Sequence, residues 1–500
     1  MNYLGIDVGT GGSRAVLIDE NGKVIASAIV EHTAFAAPEI GWAEQSPDDW
    51  WRAVIAAIRE VLTKAMPEEI GAISFSGQMH GAVLLDKSDK PLRPALIWCD
   101  QRTEKQCAEI TEKIGAQKLV ELVCNPAITG FTLPKLLWVR ENESEIWAQI
   151  CSILLPKDYI RLKLSGDKAS DVADSSGTLL FDVQNRKWSS EMLSAFEVNA
   201  DLLPEVYESI EVTGKVSKQA AAETGLREGT LIIAGAGDNA AGAIGMGVTQ
   251  VGTVSATIGT SGVVFAVTDK PKIDLKGRIH TLCHAIPNRW HNTGVTQGAG
   301  LSLKWFRENL GEGASYNALV NEAAKISAGA DGAIWLPYLM GERTPHLDAK
   351  ARAAFVGLTA SHTKAHLIRA VLEGVAFSLR DSIEIFKELD APIEKVRLGG
   401  GGGKSPLWRQ IQADVYNQNV EILEADEGAA FGAAILAGVG AGQWQTVDEA
   451  CEKTIRVAET VEPNNESVKI LDRNYEAYQL LYSGLRPAMK IVAENQIGEQ

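Results

Sequence analysis

Apolar and polar residues alternate at the start of the chain with the period of β-strands. Strand-like runs over residues 3–8 and 13–19 flank a glycine-rich turn, and a tight-turn signal at residues 20–23 leads into a third run over residues 24–31. Because apolar residues recur at every second position, one face of these strands is suited to a core. The pattern predicts a β-hairpin that is extended by a third strand.

A helix is predicted after this segment. Ser46 is a natural N-cap, Pro47 suits the first helical position, and the acidic residues 48 and 49 suit the helix dipole. One face is then apolar at helical spacing, at Trp51, Val54, Ile55, Ile58 and Leu62. Strand-like runs at 70–76, 230–235 and 395–398 alternate with helical patterns such as 406–416. This mixture of strands and helices predicts an α/β fold.

One short motif occurs twice, half a chain apart, each time between apolar runs. Residues 7–12 read Asp-Val-Gly-Thr-Gly-Gly, and residues 257–262 read Thr-Ile-Gly-Thr-Ser-Gly. A single glycine-rich turn of this kind is equally typical of an ordinary hairpin. The second copy favours two similar domains that face each other, each offering main-chain N–H groups and a hydroxyl to phosphate.

The first copy of the motif also carries charged residues. We expect Thr10, Gly11 and Gly12 to hold phosphate oxygens and Arg14 to add positive charge. Asp7 has no acidic counterpart in the second copy. We expect it to orient a Mg²⁺ ion through water, because Mg²⁺ keeps several of its waters when it binds to proteins.

The length of the chain predicts two domains. Its 500 residues exceed the size at which one hydrophobic core keeps growing, and no low-complexity linker separates the halves. We expect an N-terminal domain over residues 1–246, a C-terminal domain over residues 247–488, and a polar, poorly ordered tail over residues 489–500. Residues 425–437 are rich in small apolar side chains, which predicts a helix packed closely against its neighbours.

Composition and charge narrow the class of protein. With 45% hydrophobic and 22% charged residues, the chain is typical of globular proteins. The net charge of −16 disfavours a nucleic-acid partner, which needs basic surface, whereas N–H groups and Mg²⁺ can still bind a nucleotide. No apolar run approaches the ~18 residues that span a membrane, and no signal-peptide pattern is evident. The six cysteines form no CxxC pair, so we expect reduced thiols in a cytoplasmic protein.

Asp238 is the candidate general base. It follows an apolar strand within a turn of small residues, at the expected seam between the domains. An aspartate there is often only a helix N-cap, but a carboxylate that faces a sugar hydroxyl can also take its proton. The same segment, residues 235–240, fits the GxGxxG/A pattern of dinucleotide folds, although a carboxylate inside a pyrophosphate loop is electrostatically unfavourable.

Other residues offer weaker signals. Gly403-Lys404 resembles the end of a P-loop, but Leu398 occupies the position where that motif needs its first glycine, so the motif is not matched. We expect the glycine run 399–403 to pack against a flat part of a ligand, such as an adenine ring. His80 lies close to two glycines after the strand-like run 70–76, where close approach of another group is expected. His280 and His284 are spaced like helical metal ligands, but their strand-like context favours a structural role.

Taken together, these residues resemble the FGGY family of carbohydrate kinases, over nearly the whole chain. Residues 130–142 match the first signature of the family. The second signature is matched between residues 353 and 373, through Ala353, Phe355, Gly357, Leu358, His366, Leu367, Ala370 and Glu373. The resemblance implies an actin-like sugar-kinase fold, in which two duplicated ribonuclease-H-like domains surround a cleft for ATP and sugar.

The resemblance also implies roles for individual residues. Asp238 is expected to be the catalytic base, and Met79, His80 and Asn239 are expected to contact the sugar. Glycerol kinases carry Arg-Glu where this chain has Met79-His80, which disfavours glycerol as the substrate. The residues expected to contact ATP in the second domain are Gly259, Thr260, Gly300, Gly401 and Ser405.

Residues 42–45, 76–81, 155–159, 237–241 and 337–345 are most similar to the family members that phosphorylate D-xylulose. The resemblance therefore implies transfer of the ATP γ-phosphoryl group to the 5-hydroxyl of D-xylulose, with Mg²⁺, in a homodimer. Three alternatives stay open. The first is an FGGY kinase that acts on another ketose, on a polyol or on gluconate. The second is a non-catalytic actin-like nucleotide switch, and the third is an NAD-dependent oxidoreductase.

Overall fold

The computed structural model describes residues 1–424 and 428–497, and over these residues the chain forms two large mixed β-sheets, each covered by helices. The two sheets and their helices form a two-domain α/β architecture. The strands of the N-terminal sheet, in spatial order, are Val212–Lys215, Leu231–Ile233, Ile70–Gly77, Asn2–Val8, Gly12–Ile18 and Val24–Glu31, with Ala236–Gly237 also paired to Ile70–Gly77. Those of the C-terminal sheet are His280–Cys283, Trp290–Thr296, Gly262–Thr268, Gly252–Ile258, Ile393–Gly400, Val420–Leu423 and Val457–Val461.

The duplication predicted from the repeated motif is present in both sheets. In each sheet, the strand before the glycine turn pairs antiparallel with the strand after it and parallel with a strand from later in the chain. Asp7 lies opposite Arg14 and beside Ser76, whereas Thr257 lies opposite Val263 and beside Gly399. The two turns therefore occupy equivalent positions in two equivalent hairpins.

Helices cover both sheets. Those in the first half of the chain are Pro47–Val61, Glu104–Ile114, Ala116–Val123, Thr132–Asn142, Ser144–Trp147, Pro156–Ser165, Val172–Ser175, Ser190–Ala195, Lys218–Thr224 and Asp238–Gly245. Those in the second half are Ala299–Asn309, Tyr316–Ala323, Lys364–Glu388, Pro406–Tyr416, Gly428–Gly440, Val447–Thr454 and Asn465–Ile497. Short 3₁₀ turns occur at Pro67–Glu69, Ala200–Leu202, Ala330–Gly332 and Gly401–Gly403.

Short strand pairs complete the structure. They are Glu44–Gln45 with Ala95–Leu96, Val83–Leu85 with Ser152–Leu154, Ala169–Asp171 with Glu205–Tyr207, Phe181–Asp182 with Lys187–Trp188, and Ile334–Leu336 with Ala354–Val356. The helix predicted after Ser46 runs over Pro47–Val61, and its apolar face, including the fully buried Val54 and Ile58, packs in the N-terminal core. Periodicity therefore identified this helix correctly.

The helix Gly428–Gly440 crosses from the second half of the chain to the N-terminal sheet. It packs against the strands Asn2–Val8 and Ile70–Gly77 and against the helix Asp238–Gly245. A Cβ atom on Gly432 would lie 1.8 Å from the main-chain oxygen of Ala241, so the two helices approach as closely as glycine allows. The predicted close-packed helix is confirmed over these residues, whereas residues 425–427 lie outside the described part. The domain boundary at residues 246 and 247 stays a prediction.

The end of the chain differs from the expected poorly ordered tail. The last helix, Asn465–Ile497, continues through residue 489, and residues 498–500 lie outside the described part. Met489 and Ala493 are buried, and Met489 belongs to the C-terminal core. The spacing of these residues by four places them on one helical face, and their burial stabilises this last part of the helix.

The described residues include no helix that is both long enough and apolar enough to cross a membrane.

Candidate active site

Asp238 lies in a cavity of about 260 Å³, which we call the Asp238 cavity. It is the first residue of the helix Asp238–Gly245, directly after the short strand Ala236–Gly237 at the edge of the sheet. The cavity is lined by Met79, His80, Trp98, Ile128, Gly130, Phe131, Asp238, Asn239, Ser261, Val263, His280, Leu282, Thr293, Val295 and Arg343. These residues come from both halves of the chain, so both halves build this cavity.

The carboxyl group of Asp238 has an unusual electrostatic environment. Loss of solvent and the negative charge of Asp7 raise its pKa to about 7, although a hydrogen bond from the main-chain N–H of Asn239 opposes the shift. At neutral pH the group therefore exchanges a proton readily, which suits a general base.

Asp7 lies in the strand Asn2–Val8, and its pKa is also raised, chiefly by loss of solvent. The hydroxyl of Ser76 and the charge of Arg14 lower the pKa in part. Its Oδ1 atom is buried and has no hydrogen-bond partner. A buried carboxylate oxygen without a partner, near a second carboxylate, is the kind of oxygen-donor environment that suits Mg²⁺ or one of its waters.

The described residues contain no group of three or more His, Cys, Asp or Glu side chains that could hold a metal ion. Mg²⁺ does not need such a group, because it usually binds through one or two carboxylates together with water and substrate phosphates. Asp7, with its free Oδ1, fits that mode of binding.

Met79, His80 and Asn239 lie together in the Asp238 cavity. The Nδ2 group of Asn239 lies 3.7 Å from the sulfur of Met79. His80 Nδ1 donates a hydrogen bond of 2.6 Å to the main-chain oxygen of Gly177, which leaves Nε2 as an acceptor. Burial lowers the pKa of His80 to about 3, so the imidazole is neutral at physiological pH.

His280 and His284, which the sequence predicts to be structural, take different positions: His280 lines the Asp238 cavity and His284 does not. In the strand His280–Cys283, alternate residues face the cavity, so His280 and Leu282 both line it. His280 Nδ1 donates to the side-chain oxygen of Asn125 at 3.1 Å, and burial lowers the pKa of the imidazole to about 3. His284 is fully buried, and its Nε2 donates to the main-chain oxygen of Val248 at 3.1 Å.

Sequence reasoning missed three further residues of this cavity: Trp98, Arg343 and Phe131. Arg343 belongs to the segment 337–345, which was singled out as a point of likeness without a role for its arginine. Phe131 is the second residue of the first family signature, and the centre of its ring lies 4.5 Å from that of the His80 ring. Trp98 follows a short strand and carries no motif, so no local signal could have identified it.

A second cavity of about 510 Å³, which we call the Thr260 cavity, lies next to the first. Thr260 lines the second cavity and Ser261 lines the first, so one turn separates the two. The predicted residues Gly259, Thr260, Gly300, Gly401 and Ser405 all line the Thr260 cavity. The remaining lining residues are Ile258, Leu301, Leu303, Lys304, Tyr316, Asn317, Val320, Lys404 and Trp408.

The walls of the Thr260 cavity are held by main-chain contacts. Gly300 N donates to Gly259 O at 2.9 Å, and a Cβ on Gly300 would lie only 2.3 Å from that oxygen. The hydroxyl of Ser405 caps the helix Pro406–Tyr416 by accepting from Trp408 N at 3.3 Å. Lys404 supplies a cation to the wall, and its place after the glycine run was the signal that could have identified it.

The structure does not bring the first glycine turn to the wall of the Thr260 cavity. The described lining of the Thr260 cavity and of the Asp238 cavity does not include Thr10, Gly11, Gly12 or Arg14. The hydroxyl of Thr10 accepts a hydrogen bond of 2.9 Å from Trp98 Nε1, so the turn meets the Asp238 cavity through Trp98.

The charged group of Arg14 is directed along its own sheet. Its Nε donates to the hydroxyl of Ser27 at 3.1 Å, and across the hairpin it lies opposite Asp7.

Two duplicated domains with a polar cavity between them and a glycine-walled cavity beside it define the class of the sugar kinases. The N-terminal domain of the FGGY family of carbohydrate kinases matches residues 2–245, and the C-terminal domain of that family matches residues 254–441. The chain belongs to the FGGY family of carbohydrate kinases. It is therefore an enzyme that uses ATP and a sugar as substrates.

Individual relatives are similar over their full length. A xylulose kinase of Bacillus subtilis is 38% identical, with 99% of this chain and 100% of that protein covered. A solved structure of a xyloylose kinase from Brucella ovis superposes with a TM-score of 0.92 at 37% identity, covering 98% of this chain and 100% of the other. A gluconate kinase from Lactobacillus acidophilus superposes with a TM-score of 0.92 at 27% identity, covering 97% and 98%.

Proposed function

We propose that this protein transfers the γ-phosphoryl group of ATP to the 5-hydroxyl of D-xylulose, giving D-xylulose 5-phosphate and ADP. The observation that carries the proposal is the position of Asp238, whose carboxyl group has a pKa of about 7 inside a cavity built by both halves of the chain. The similarity to xylulose kinases over nearly the full length supports the choice of sugar.

The reaction needs one proton transfer and one phosphoryl transfer. Asp238 accepts the proton of the sugar hydroxyl while the hydroxyl oxygen forms a bond to the γ-phosphorus, and the bond from that phosphorus to the ADP oxygen breaks. Met79, His80 and Asn239 hold the sugar in the same cavity. Because phosphoryl transfer asks for little covalent chemistry from the protein, positioning and charge stabilisation account for most of the rate enhancement.

The nucleotide is assigned to the Thr260 cavity. Gly259, Thr260, Gly300, Gly401 and Ser405 line it, and the next residue after Thr260, Ser261, lines the Asp238 cavity. Thr10, Gly11, Gly12 and Arg14 are assigned to the phosphates from the other side, at the edge that Trp98 shares with the Asp238 cavity. Closure of the two domains on substrate would bring this first turn to the nucleotide.

We assign Mg²⁺ to the space beside Asp7, whose Oδ1 has no protein partner. When bound, the ion neutralises part of the phosphate charge. Asp7 itself orients the ion and, through its own negative charge, keeps the pKa of Asp238 high. The cytoplasmic location is a proposal that rests on the cysteine pattern, the homodimer rests on the family resemblance, and the absence of a nucleic-acid partner rests on the net charge of the chain.

The proposal is tested by ADP release in a coupled assay with Mg²⁺-ATP and a panel of ketoses, polyols and sugar acids. We expect strong stimulation by D-xylulose, and a loss of about 10²–10⁴-fold in kcat for Asp238→Asn. Asp269→Asn, which changes an exposed carboxylate, is the matched control and should behave like the wild type. A kcat near the wild-type value in folded Asp238→Asn would remove Asp238 from the mechanism.

The same panel separates the alternatives. Gluconate is favoured as the second candidate by the likeness to a gluconate kinase. Stimulation by gluconate or a polyol, with none by D-xylulose, would keep the reaction and change the substrate. ATP binding without stimulation by any sugar would instead favour a nucleotide switch.

A further inference from the structure

The side chain of Arg343 lines the Asp238 cavity, where burial lowers the pKa of its guanidinium group and the negative charge of Glu342 opposes that shift. Among the residues that the structure describes, no carboxylate oxygen lies within 4.0 Å of its guanidinium group. The nearest acidic neighbour in the chain, Glu342, is committed elsewhere. Its Oε1 accepts from Gln297 N at 2.9 Å and from the main-chain N–H of Arg343 at 2.7 Å, and its Oε2 accepts from the hydroxyl of Thr296 at 2.5 Å.

The backbone on both sides of Arg343 is fixed to the wall of the cavity. On one side, Glu342 is bonded to Thr296 and Gln297. On the other side, Thr344 N donates to Val295 O at 2.9 Å, and the Thr344 hydroxyl accepts from Val295 N at 3.1 Å. Val295 itself lines the cavity. The backbone of Arg343 is therefore held between two anchored residues, which fixes the point on the cavity wall from which its side chain extends.

The cavity has an acidic part and a cationic part. Asp238 senses the negative charge of Asp7, which raises its pKa. His80 and His280 instead sense the positive charge of Arg343, which contributes to their low pKa values of about 3. Both imidazoles are neutral and use Nδ1 for protein partners, so Nε2 of each is an acceptor. Arg343 is thus the strong donor of this part of the cavity.

We propose that Arg343 is a specificity-determining residue that binds the end of the sugar opposite the hydroxyl facing Asp238. Its guanidinium donates to the C2 carbonyl oxygen and the C1 hydroxyl oxygen of an open-chain ketose. The same guanidinium can donate to a carboxylate at C1, so the site also binds a five-carbon sugar acid. This inference rests on the proposed function, because the orientation of the sugar is set by phosphorylation next to Asp238.

The chemistry of the guanidinium gives the proposal its selectivity. Arginine carries donors and no acceptor, so it favours oxygens that cannot themselves donate, such as a carbonyl or a carboxylate. A carboxylate can accept two parallel hydrogen bonds from the guanidinium, which makes that pair stronger than a bond to a neutral oxygen. Xylitol has a hydroxyl in place of the carbonyl, so the guanidinium does not favour its C2 oxygen in this way. Binding to Arg343 therefore ranks D-xylonate and D-xylulose above xylitol.

The test compares the wild type with Arg343→Met and Arg343→Lys. It measures the KM for D-xylulose and the inhibition constants of D-xylonate and xylitol against D-xylulose. In Arg343→Met we expect the KM and the D-xylonate inhibition constant each to rise about 10–100-fold, with xylitol changed less than about threefold. Arg343→Lys keeps the charge without the planar fork, and we expect it to recover part of D-xylonate binding.

The controls separate this inference from a structural role. Arg380→Met removes a guanidinium that pairs with Glu384 and Asp472 outside the cavity, and it should leave all three constants unchanged. Equal weakening of the three ligands, or a raised KM for ATP with unchanged sugar constants, would overturn the assignment. Absence of D-xylulose turnover in the wild type would contradict the proposed function instead, and direct binding of D-xylonate and xylitol to wild type and Arg343→Met by calorimetry would still test Arg343.

Discussion

Lys135 Nζ donates a hydrogen bond of 2.9 Å to the main-chain oxygen of His80, from a side chain that is fully buried. The same ammonium group donates to the main-chain oxygen of Gly130 at 2.6 Å. His80 and Gly130 both line the Asp238 cavity. One lysine from the helix Thr132–Asn142 therefore joins two segments of the cavity wall, although its own side chain does not line the cavity.

Replacing this lysine should loosen the cavity and weaken the fold. In Lys135→Met, the carbonyl group of Gly130 loses the Lys135 donor, which costs about 1–3 kcal/mol in the free energy of unfolding, whereas the carbonyl group of His80 keeps the Thr132 hydroxyl at 3.1 Å. We expect the KM for the sugar to rise about tenfold or more because the segments at His80 and Gly130 are no longer joined by one ammonium group. Urea titration and steady-state kinetics measure the two effects.

The matched control for this change is Lys325→Met, since Lys325 is 64% exposed. Neither its stability nor its KM should differ from the wild type. An unchanged sugar KM in a destabilised Lys135→Met would show that Lys135 supports the fold without positioning His80.

The pKa of Asp238 predicts a dependence of activity on pH. Because the pKa is raised to about 7 and the base must be ionised, kcat/KM for the sugar should fall about tenfold per pH unit below pH 7. His80 and His280 have pKa values of about 3 and contribute nothing to this limb. The profile is measured with Mg²⁺-ATP well below its KM, so that it reports the free enzyme.

The variant Asp7→Asn tests whether the acidic limb of the pH profile belongs to Asp238. Removing the negative charge of Asp7 should lower the pKa of Asp238 and move the acidic limb to lower pH, whatever the loss in absolute rate. Glu342 also has a pKa raised to about 7, by burial. A limb that stays in place in Asp7→Asn would therefore be assigned to Glu342.

Gly300→Ala should act on the nucleotide rather than on the sugar. The new Cβ would lie 2.3 Å from the main-chain oxygen of Gly259, so the turn at Gly259 and Thr260 must shift. We expect the KM for ATP to rise about tenfold or more, with a KM for the sugar within about twofold of the wild type. Steady-state kinetics with each substrate varied in turn provides the measurement.

Gly484→Ala is the control for this substitution, because no heavy atom lies within 4 Å of its added Cβ in the last helix. It should leave both KM values unchanged and stabilise the helix by about 0.5–1 kcal/mol. Equal rises in both KM values for Gly300→Ala would contradict the assignment of the Thr260 cavity to ATP.

Stability at acidic pH should depend on His284. Burial lowers its pKa to about 3 in the folded protein, against about 6.5 in the unfolded chain. Its contribution to stability is complete above pH 6.5 and is lost as the pH falls from 6.5 toward 3, because only the unfolded state takes up the proton. At pH 5 the loss amounts to about 2 kcal/mol relative to pH 7.5.

His284→Gln isolates this contribution, since an amide can donate to Val248 O without taking up a proton. Urea unfolding at pH 7.5 and pH 5 should show a smaller decline for the variant than for the wild type. All other titrating groups are shared and cancel in the comparison. Parallel declines in the two proteins would contradict the prediction, and His284→Asn serves as a second variant if the glutamine disturbs folding.

Several elements of the fold could be predicted from the local sequence. The helix Pro47–Val61 was identified from its start signals and apolar spacing, and the strands on both sides of each glycine turn were identified from alternation. The residues predicted to meet ATP in the second domain do line one cavity. The helix and the strands were predicted correctly because turn chemistry and periodicity act over a few neighbouring residues, whereas contact of the cavity residues with ATP stays a prediction from the family resemblance.

Predictions that depended on distant contacts were less complete. Polar composition suggested a disordered tail, but Met489 and Ala493 bury one face of the last helix. The spacing of His280 and His284 in the sequence gave no reason to expect different positions for the two side chains. In the structure, His280 in the strand His280–Cys283 lines the Asp238 cavity, whereas His284 is fully buried. A packing partner that lies far away in the chain decided each case.

The sequence by itself determined the duplicated hairpins, the family, and the acid at position 238, because motifs and periodicity are local properties. Only the tertiary structure decided which groups surround that acid. Asp7 raises the pKa of Asp238 although the two residues are more than two hundred positions apart in the sequence. Arg343 lines the same cavity and comes from the other half of the chain. Charge, burial and hydrogen bonding act through space, so the chemistry of the site appears only once the chain has folded.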